Sequence, residues 1–209
     1  MHGRRTHSFV VFKSGAQATQ KECVMASIDD VIVVSPTIMT ASLLRGEEGD
    51  FGASRGPGKT HQGIDIVANQ SSDDKSIYVV RATSGGTIAY ARVNGSSNAG
   101  YGYTVIVDHQ NGFYTLYAHL AINASSGLLT IGQAVSVGDT LGYLADLANG
   151  EKSSGNARAV NPYDRIQLHF ECFEAPSGRS STGSLALIKD GLTIDDPTNR
   201  LKALGYQSF

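Results

Sequence analysis

From His61 onward, apolar and polar positions fall into short stretches at a spacing of two. Ile64 to Ala68, Ile77 to Ala82, Thr87 to Val93, Tyr103 to His109, Phe113 to Leu120 and Arg165 to Phe173 each hold β-branched or aromatic residues. That period belongs to strands with one buried face. A helical reading fails on the length of these runs and on their β-branched content. Gln110-Asn111-Gly112 predicts a hairpin turn between two of them. Ala134 to Ala145, with Val-x-Val-Gly-Asp-x-Leu-Gly-x-Leu, predicts a second tight hairpin. One helix is predicted, Asp195 to Leu204, with Asp195 or Asp196 as cap and Pro197 in the first turn. Nearer the N-terminus, Phe9 to Phe12 and Val31 to Val34 read as short strands, with Asp29-Asp30 as a turn. Segments 45–60, 94–100 and 149–164 are polar, Gly-rich or Ser-rich and read as loops. The fold class is therefore mainly β, an antiparallel sheet or sandwich with one short C-terminal helix. An N-terminal extension covers 1–45, the main domain 46–178 and a C-terminal extension 179–209.

Composition narrows the function. The 209 residues carry 17 basic and 19 acidic side chains, a formal charge of −2. Such balance excludes nucleic-acid binding through clustered Lys and Arg, and excludes a polybasic membrane anchor. Apolar residues make up 41 %, too many for a disordered chain. No run reaches the ~18 apolar residues of a membrane span. Met1-His2-Gly3-Arg4-Arg5 is basic, but the apolar run after it is too short for a signal peptide. The expectation is a chain that stays inside, leaves by a leaderless route, or is cut from a precursor. Cys23 and Cys172 exclude a disulfide framework and a cysteine-based structural zinc site, and leave one disulfide open.

The six histidines hold the candidate chemistry. His2 and His7 lie in a terminus expected to fray. His109 reads as a polar residue beside the hairpin turn. His61 and Asp65 form an H-x-x-x-D pair, and both side-chain types are good zinc ligands. In Ile166-Gln167-Leu168-His169-Phe170-Glu171-Cys172, alternation sets Ile166, Leu168, Phe170 and Cys172 on one face and Gln167, His169 and Glu171 on the other. The same rule puts Thr115, Tyr117 and His119 on one face, with His119 a candidate general base.

Together these motifs resemble a known family. His61-x-Gly-x-Asp65, Gly100-Tyr101-Gly102, Tyr117-Ala118-His119-Leu120 and Leu168-His169-Phe170-Glu171 follow in the order seen in lysostaphin/LytM-type zinc metallopeptidases, and the Gly132 to Gly142 run matches too. The resemblance spans about residues 50 to 175. It implies the lysostaphin-type fold, which is barrel-sandwich-hybrid-like, and endopeptidase action on the peptides of bacterial peptidoglycan. It implies Zn2+ held by His61, Asp65 and His169, with the fourth position left to water. His119 would take a proton from that water or stabilise the oxyanion, and Glu171 would orient a ligand imidazole. Arg55, Tyr101 and Tyr117 are candidates for the substrate groove.

One position departs from the pattern. The family has H-x-H at its last motif and this chain has Gln167-Leu168-His169. Glutamine keeps a hydrogen-bond donor there but cannot exchange a proton, so Gln167 is a weakened catalytic position. A non-catalytic zinc-binding module that binds wall or activates a hydrolase is the rival reading. A biotinyl or lipoyl carrier is disfavoured, because no Lys lies between Arg92 and Lys152 to accept the group. Peptidoglycan lies outside the cytoplasmic membrane, in periplasm or wall. The expected partners, besides the wall, are secretion machinery for an antibacterial effector, a phage component or an immunity protein.

Overall fold

A computed structural model describes residues 27–37, 41–43, 49–68, 78–96, 99–145, 166–182 and 184–208. The expected strand at Phe9 to Phe12, the 149–164 loop, Cys23, His2 and His7 lie outside the described residues. In chain order the elements are α1 (Ile28–Val31), β1 (Ala41–Leu43), β2 (Ile64–Ala68), β3 (Val79–Arg81), β4 (Gly86–Ser96), β5 (Ala99–Asp108) and β6 (Phe113–Leu120). There follow α2 (Ile122–Ser125), β7 (Ala134–Val135), β8 (Thr140–Tyr143), β9 (Gln167–Glu174), α3 (Leu185–Lys189), β10 (Thr193–Asp195), α4 (Thr198–Ala203) and β11 (Gln207–Ser208).

The main sheet runs β11-β1-β2-β9-β6-β5-β4-β7, with β10 also on β9; β3 and β8 form a separate pair. All pairings are antiparallel except β1 with β11. Alternation along β6 and β9 sorts side chains between two layers. Tyr117, Leu168, Phe170 and Cys172 point into the larger core, which Val80, Leu141 and Leu144 of the small sheet and its flank also enter. Leu116, Ala118 and Phe173 point the other way, into a second cluster that Leu185 and Ile188 of α3 cover.

β2 and β6 keep their expected bounds, and β5 and β6 pair through the predicted Asn-Gly hairpin. Four expectations change. Segment 94–100, read as a loop, instead extends two strands, β4 as far as Ser96 and β5 from Ala99, with Ser96 paired to Ala99. Residues 28–31 are a helix, not a turn leading into a strand: the Asp30 carboxylate takes the Ser27 amide N–H at 2.6 Å and closes a first turn. β7 and β8 do not form a hairpin with each other. A turn does form between them, with the Ser136 amide donating to Asp139 Oδ2 at 2.8 Å, yet β7 joins β4 and β8 joins β3. The C-terminal helix is shorter than expected, because Thr193–Asp195 is spent as a strand on β9 and the helix begins at Thr198. It is also accompanied by three other short helices among the described residues.

Candidate metal centre

Register places the key residues in a row. Antiparallel pairing puts Asp65 of β2 opposite His169 of β9, and His169 opposite Ala118 of β6. All three lie on the face away from the larger core. Ala118 is the small neighbour that leaves room above His169. His61 arrives from the turn before β2, whose entry runs hard against β9. A Cβ on Gly63 would meet the Phe170 carbonyl oxygen, Glu171 Cγ at 2.8 Å and His169 Cε1 at 3.0 Å. The glycine of H-x-G-x-D is thus a requirement of close approach.

Three ligand-type atoms converge. His61 Nε2 lies 2.8 Å from His169 Nδ1, His169 Nδ1 lies 3.0 Å from Asp65 Oδ1, and His61 Nε2 lies 3.3 Å from Asp65 Oδ1. Ligands of a tetrahedral zinc with ~2.0–2.1 Å bonds stand ~3.3 Å apart, so this triangle is near one face of that tetrahedron. Each of the three side chains is braced from behind. His61 Nδ1 is 3.0 Å from the Asp50 carbonyl oxygen, His169 Nε2 is 2.9 Å from Glu171 Oε1, and Arg55 donates to Asp65 Oδ2 at 3.2 Å. With their outer nitrogens donating N–H, both imidazoles turn lone pairs toward each other and toward a carboxylate. Three buried acceptors at that spacing repel unless a cation sits among them. The donor set, two imidazoles and one carboxylate, fits a zinc with an open fourth position.

The electrostatics agree. Burial alone would lift the Asp65 carboxyl, but the neighbouring His169 and His61 rings hold it far below the usual carboxylate range. Burial alone would lower His169, but its bonds to Asp65 and Glu171 raise it to about 9. A proton is therefore the cation that the metal-free triangle attracts. Glu171, fully buried, is pushed up by desolvation and brought down to about 2 by His169 and Lys189.

His119 reaches this site against the alternation rule. Alternation alone would send it into the core with Tyr117. Instead its backbone turns left-handed, φ +65°, where the β5–β6 register slips between Tyr103 and Val105. The bulge re-aims the ring toward the cleft, 5.8 Å from the His169 ring and edge-on to it. Burial, then the His169 charge, push its pKa down to about 4, so it is a neutral imidazole at pH 7.

A cleft of about 660 Å³ lies over the triangle, and Arg55, Tyr101, His119 and Gln167 line it with the three converging residues. Gln167 Oε1 is buried without a hydrogen-bond partner. Tyr117 is the expected groove residue that the structure does not bring there. It is fully buried, its hydroxyl 3.0 Å from Thr115 Oγ1 and 3.0 Å from the Thr83 amide. His109 flanks the hairpin turn as expected, its amide donating to the Phe113 carbonyl oxygen at 3.0 Å, but its side chain turns inward. It is buried between the Gly85 carbonyl oxygen at 2.8 Å and Thr115 Oγ1 at 2.9 Å, and desolvation lowers its pKa. Cys172 is buried on the core face, as alternation implied. Sequence reasoning missed Lys189, whose ammonium reaches Glu171 Oε2 at 2.5 Å. No motif surrounds it, and only the packing of α3 delivers it.

The model of Peptidase family M23 matches residues 59–178, more than half of the sequence. The chain belongs to peptidase family M23. A curated relative, the lipoprotein NlpD/LppB homolog of Pseudomonas aeruginosa, is 32 % identical over 114 residues, which is 54 % of this chain and 29 % of that protein. The chain thus spans less than a third of that relative's length. Among solved structures, lytM from Ruminococcus gnavus aligns over 85 % of this chain and 65 % of its own, at 16 % identity and a TM-score of 0.50. The solution structure of lysostaphin aligns over 78 % of this chain and 54 % of its own, at 20 % identity and a TM-score of 0.43. The mainly β, antiparallel fold read from the sequence is shared with lytM from Ruminococcus gnavus.

Proposed function

We propose that this M23 chain is a zinc-dependent peptidoglycan hydrolase that cleaves wall peptides with His61, Asp65 and His169 as the metal ligands. The observation that carries the reading is the braced triangle of lone-pair atoms on the floor of an open cleft. Zinc bound there would supply Lewis acidity and a water whose pKa falls toward neutrality. Asp50, Glu171 and Arg55 hold the three ligands in orientation. His119, neutral at pH 7, is in the form that accepts a proton from the nucleophilic water or donates its N–H to the oxyanion. Gln167 offers an amide to the same space and transfers no proton. Arg55 and Tyr101 on the cleft wall are the residues we assign to peptide contact. The site of action that fits this substrate is outside the cytoplasmic membrane, which accords with a relative described as a lipoprotein.

Gln167 favours a second reading, a wall-binding or hydrolase-activating module with metal and no turnover. One experiment separates the two. Zinc-loaded chain is mixed with purified peptidoglycan, and pelleted binding and soluble muropeptides are both measured, with His61→Ala as control. Release that is lost in His61→Ala supports the hydrolase. Binding without release supports the module, and a wild-type chain that retains no zinc removes both.

A further inference from the structure

We propose that Lys189, beyond the region matched by the family, is a positioning residue that locks the two imidazole-bearing segments of the metal centre together. This rests on the reading of His61, Asp65 and His169 as zinc ligands. Lys189 ends α3, whose Leu185 and Ile188 are anchored in the apolar cluster on the cleft side of the sheet. Arg179 donates to the Ile188 carbonyl oxygen at 3.2 Å and to that of Asp190, which ties down the end of the helix. The lysine stem passes beside the Tyr101 and Phe173 rings, with Nζ 5.0 Å and 5.8 Å from their centroids. The side chain is only 11 % exposed.

An ammonium has three N–H donors and no acceptor. Here Nζ finds three oxygens: Glu171 Oε2 at 2.5 Å, Gln62 Oε1 at 2.9 Å and the Tyr101 hydroxyl at 3.0 Å. Their positions in the chain give the contact its meaning. Glu171 is the carboxylate whose other oxygen holds His169 Nε2. Gln62 adjoins His61. Tyr101 stands on the cleft wall, its ring 5.3 Å from that of His169. One cation therefore fixes Glu171 in the rotamer that orients His169, and pins the turn that delivers His61. Without it, the buried Glu171 Oε2 loses its cationic partner, and the restraint on His169 and on the turn carrying His61 is loosened. A surface ion pair of equal length would be solvated and would do neither.

The test uses the full chain as wild type, Lys189→Met, Glu171→Gln, the double variant and His169→Ala. Zinc affinity is read by chelator competition, the electronic spectrum of the cobalt-substituted protein reports ligand geometry, and metal-free melting reports the fold. We expect Lys189→Met and Glu171→Gln each to weaken zinc binding about 10- to 100-fold and to shift the cobalt bands. The double variant should lose less than the two single losses combined, because the lysine acts largely through the glutamate and only the Gln62 contact is separate. Zinc affinity and cobalt bands of Lys189→Met equal to wild type overturn the proposal, as does an additive loss in the double variant. Should Lys189→Met not fold, Lys189→Gln, which keeps an N–H donor without the charge, carries the same comparison. Wild type with no more zinc than His169→Ala overturns the ligand assignment itself, a different result from a tight wild type with an indifferent Lys189.

Discussion

His119 holds a backbone conformation that few side chains other than glycine, asparagine, aspartate and histidine adopt. A fair test of its role must keep that turn, so asparagine is the replacement of choice. His119→Asn should retain zinc and fold while lowering turnover of peptidoglycan about 10²- to 10⁴-fold, seen as the rate of muropeptide release. Zinc loss in that variant would make His119 a structural residue instead. At His169 the sign of the pH dependence follows from a folded pKa near 9, above the ordinary 6.5. In the metal-free protein the imidazolium stabilises the fold fully below pH 6.5, and that contribution fades as pH rises through about 9. Zinc must displace the same proton, so its affinity should climb about tenfold per unit up to about pH 9 and then level. Chelator competition across that range measures it; a flat profile would mean that no proton leaves His169. The triangle was legible in the sequence through the family resemblance carried by His61-x-Gly-x-Asp65 and Leu168-His169-Phe170-Glu171, with alternation setting His169 on the face opposite the core. The route by which His119 joins them was not, since a one-residue bulge inverts what alternation predicts for it.

Elements repeat that division between local and distant causes. β2 and β6 are readable because each run of alternating residues ends at a turn signal close by. β7 and β8 mislead because their turn forms as read while their partners, β4 and β3, lie far away in sequence. α1 was hidden because Val31 and Ile32 bury as well in a helix end as in a strand. Tyr117 shows how an element uses a polar atom that the sequence would assign to a cleft. Its hydroxyl joins β6 to the Thr83 bend inside the core, and Thr115 carries the chain of bonds on to His109. Tyr117→Phe should therefore destabilise by about 1–3 kcal/mol, because the Thr83 amide is left buried without its acceptor. The melting temperature should fall by ~2–4 °C per kcal/mol, with zinc affinity unaltered. Unchanged melting would mean that the network contributes nothing net.

At the scale of the molecule, both flanks of the family-matched region enter the same sheet. β1 lies on β2, β11 on β1, and β10 on β9; Leu201 and Tyr206 are buried in the larger core, and the Tyr206 hydroxyl is 2.6 Å from Thr37 Oγ1. A chain cut after residue 178 should therefore fail to give a cooperative melting transition or bind zinc at wild-type affinity, although it retains His61, Asp65 and His169. A truncated chain that melts cooperatively and binds zinc normally would make the C-terminal segment an accessory. The β1–β11 pairing also sets a schedule. Ser42 meets Gln207 across more than three-quarters of the chain, and closing so long a loop is among the slowest steps available to a β-rich fold. On a ribosome, the strand at residues 41–43 waits unpartnered on that side until residues 207–208 have emerged. Any machinery that threads the chain as it is made would meet an open sheet edge rather than a closed fold.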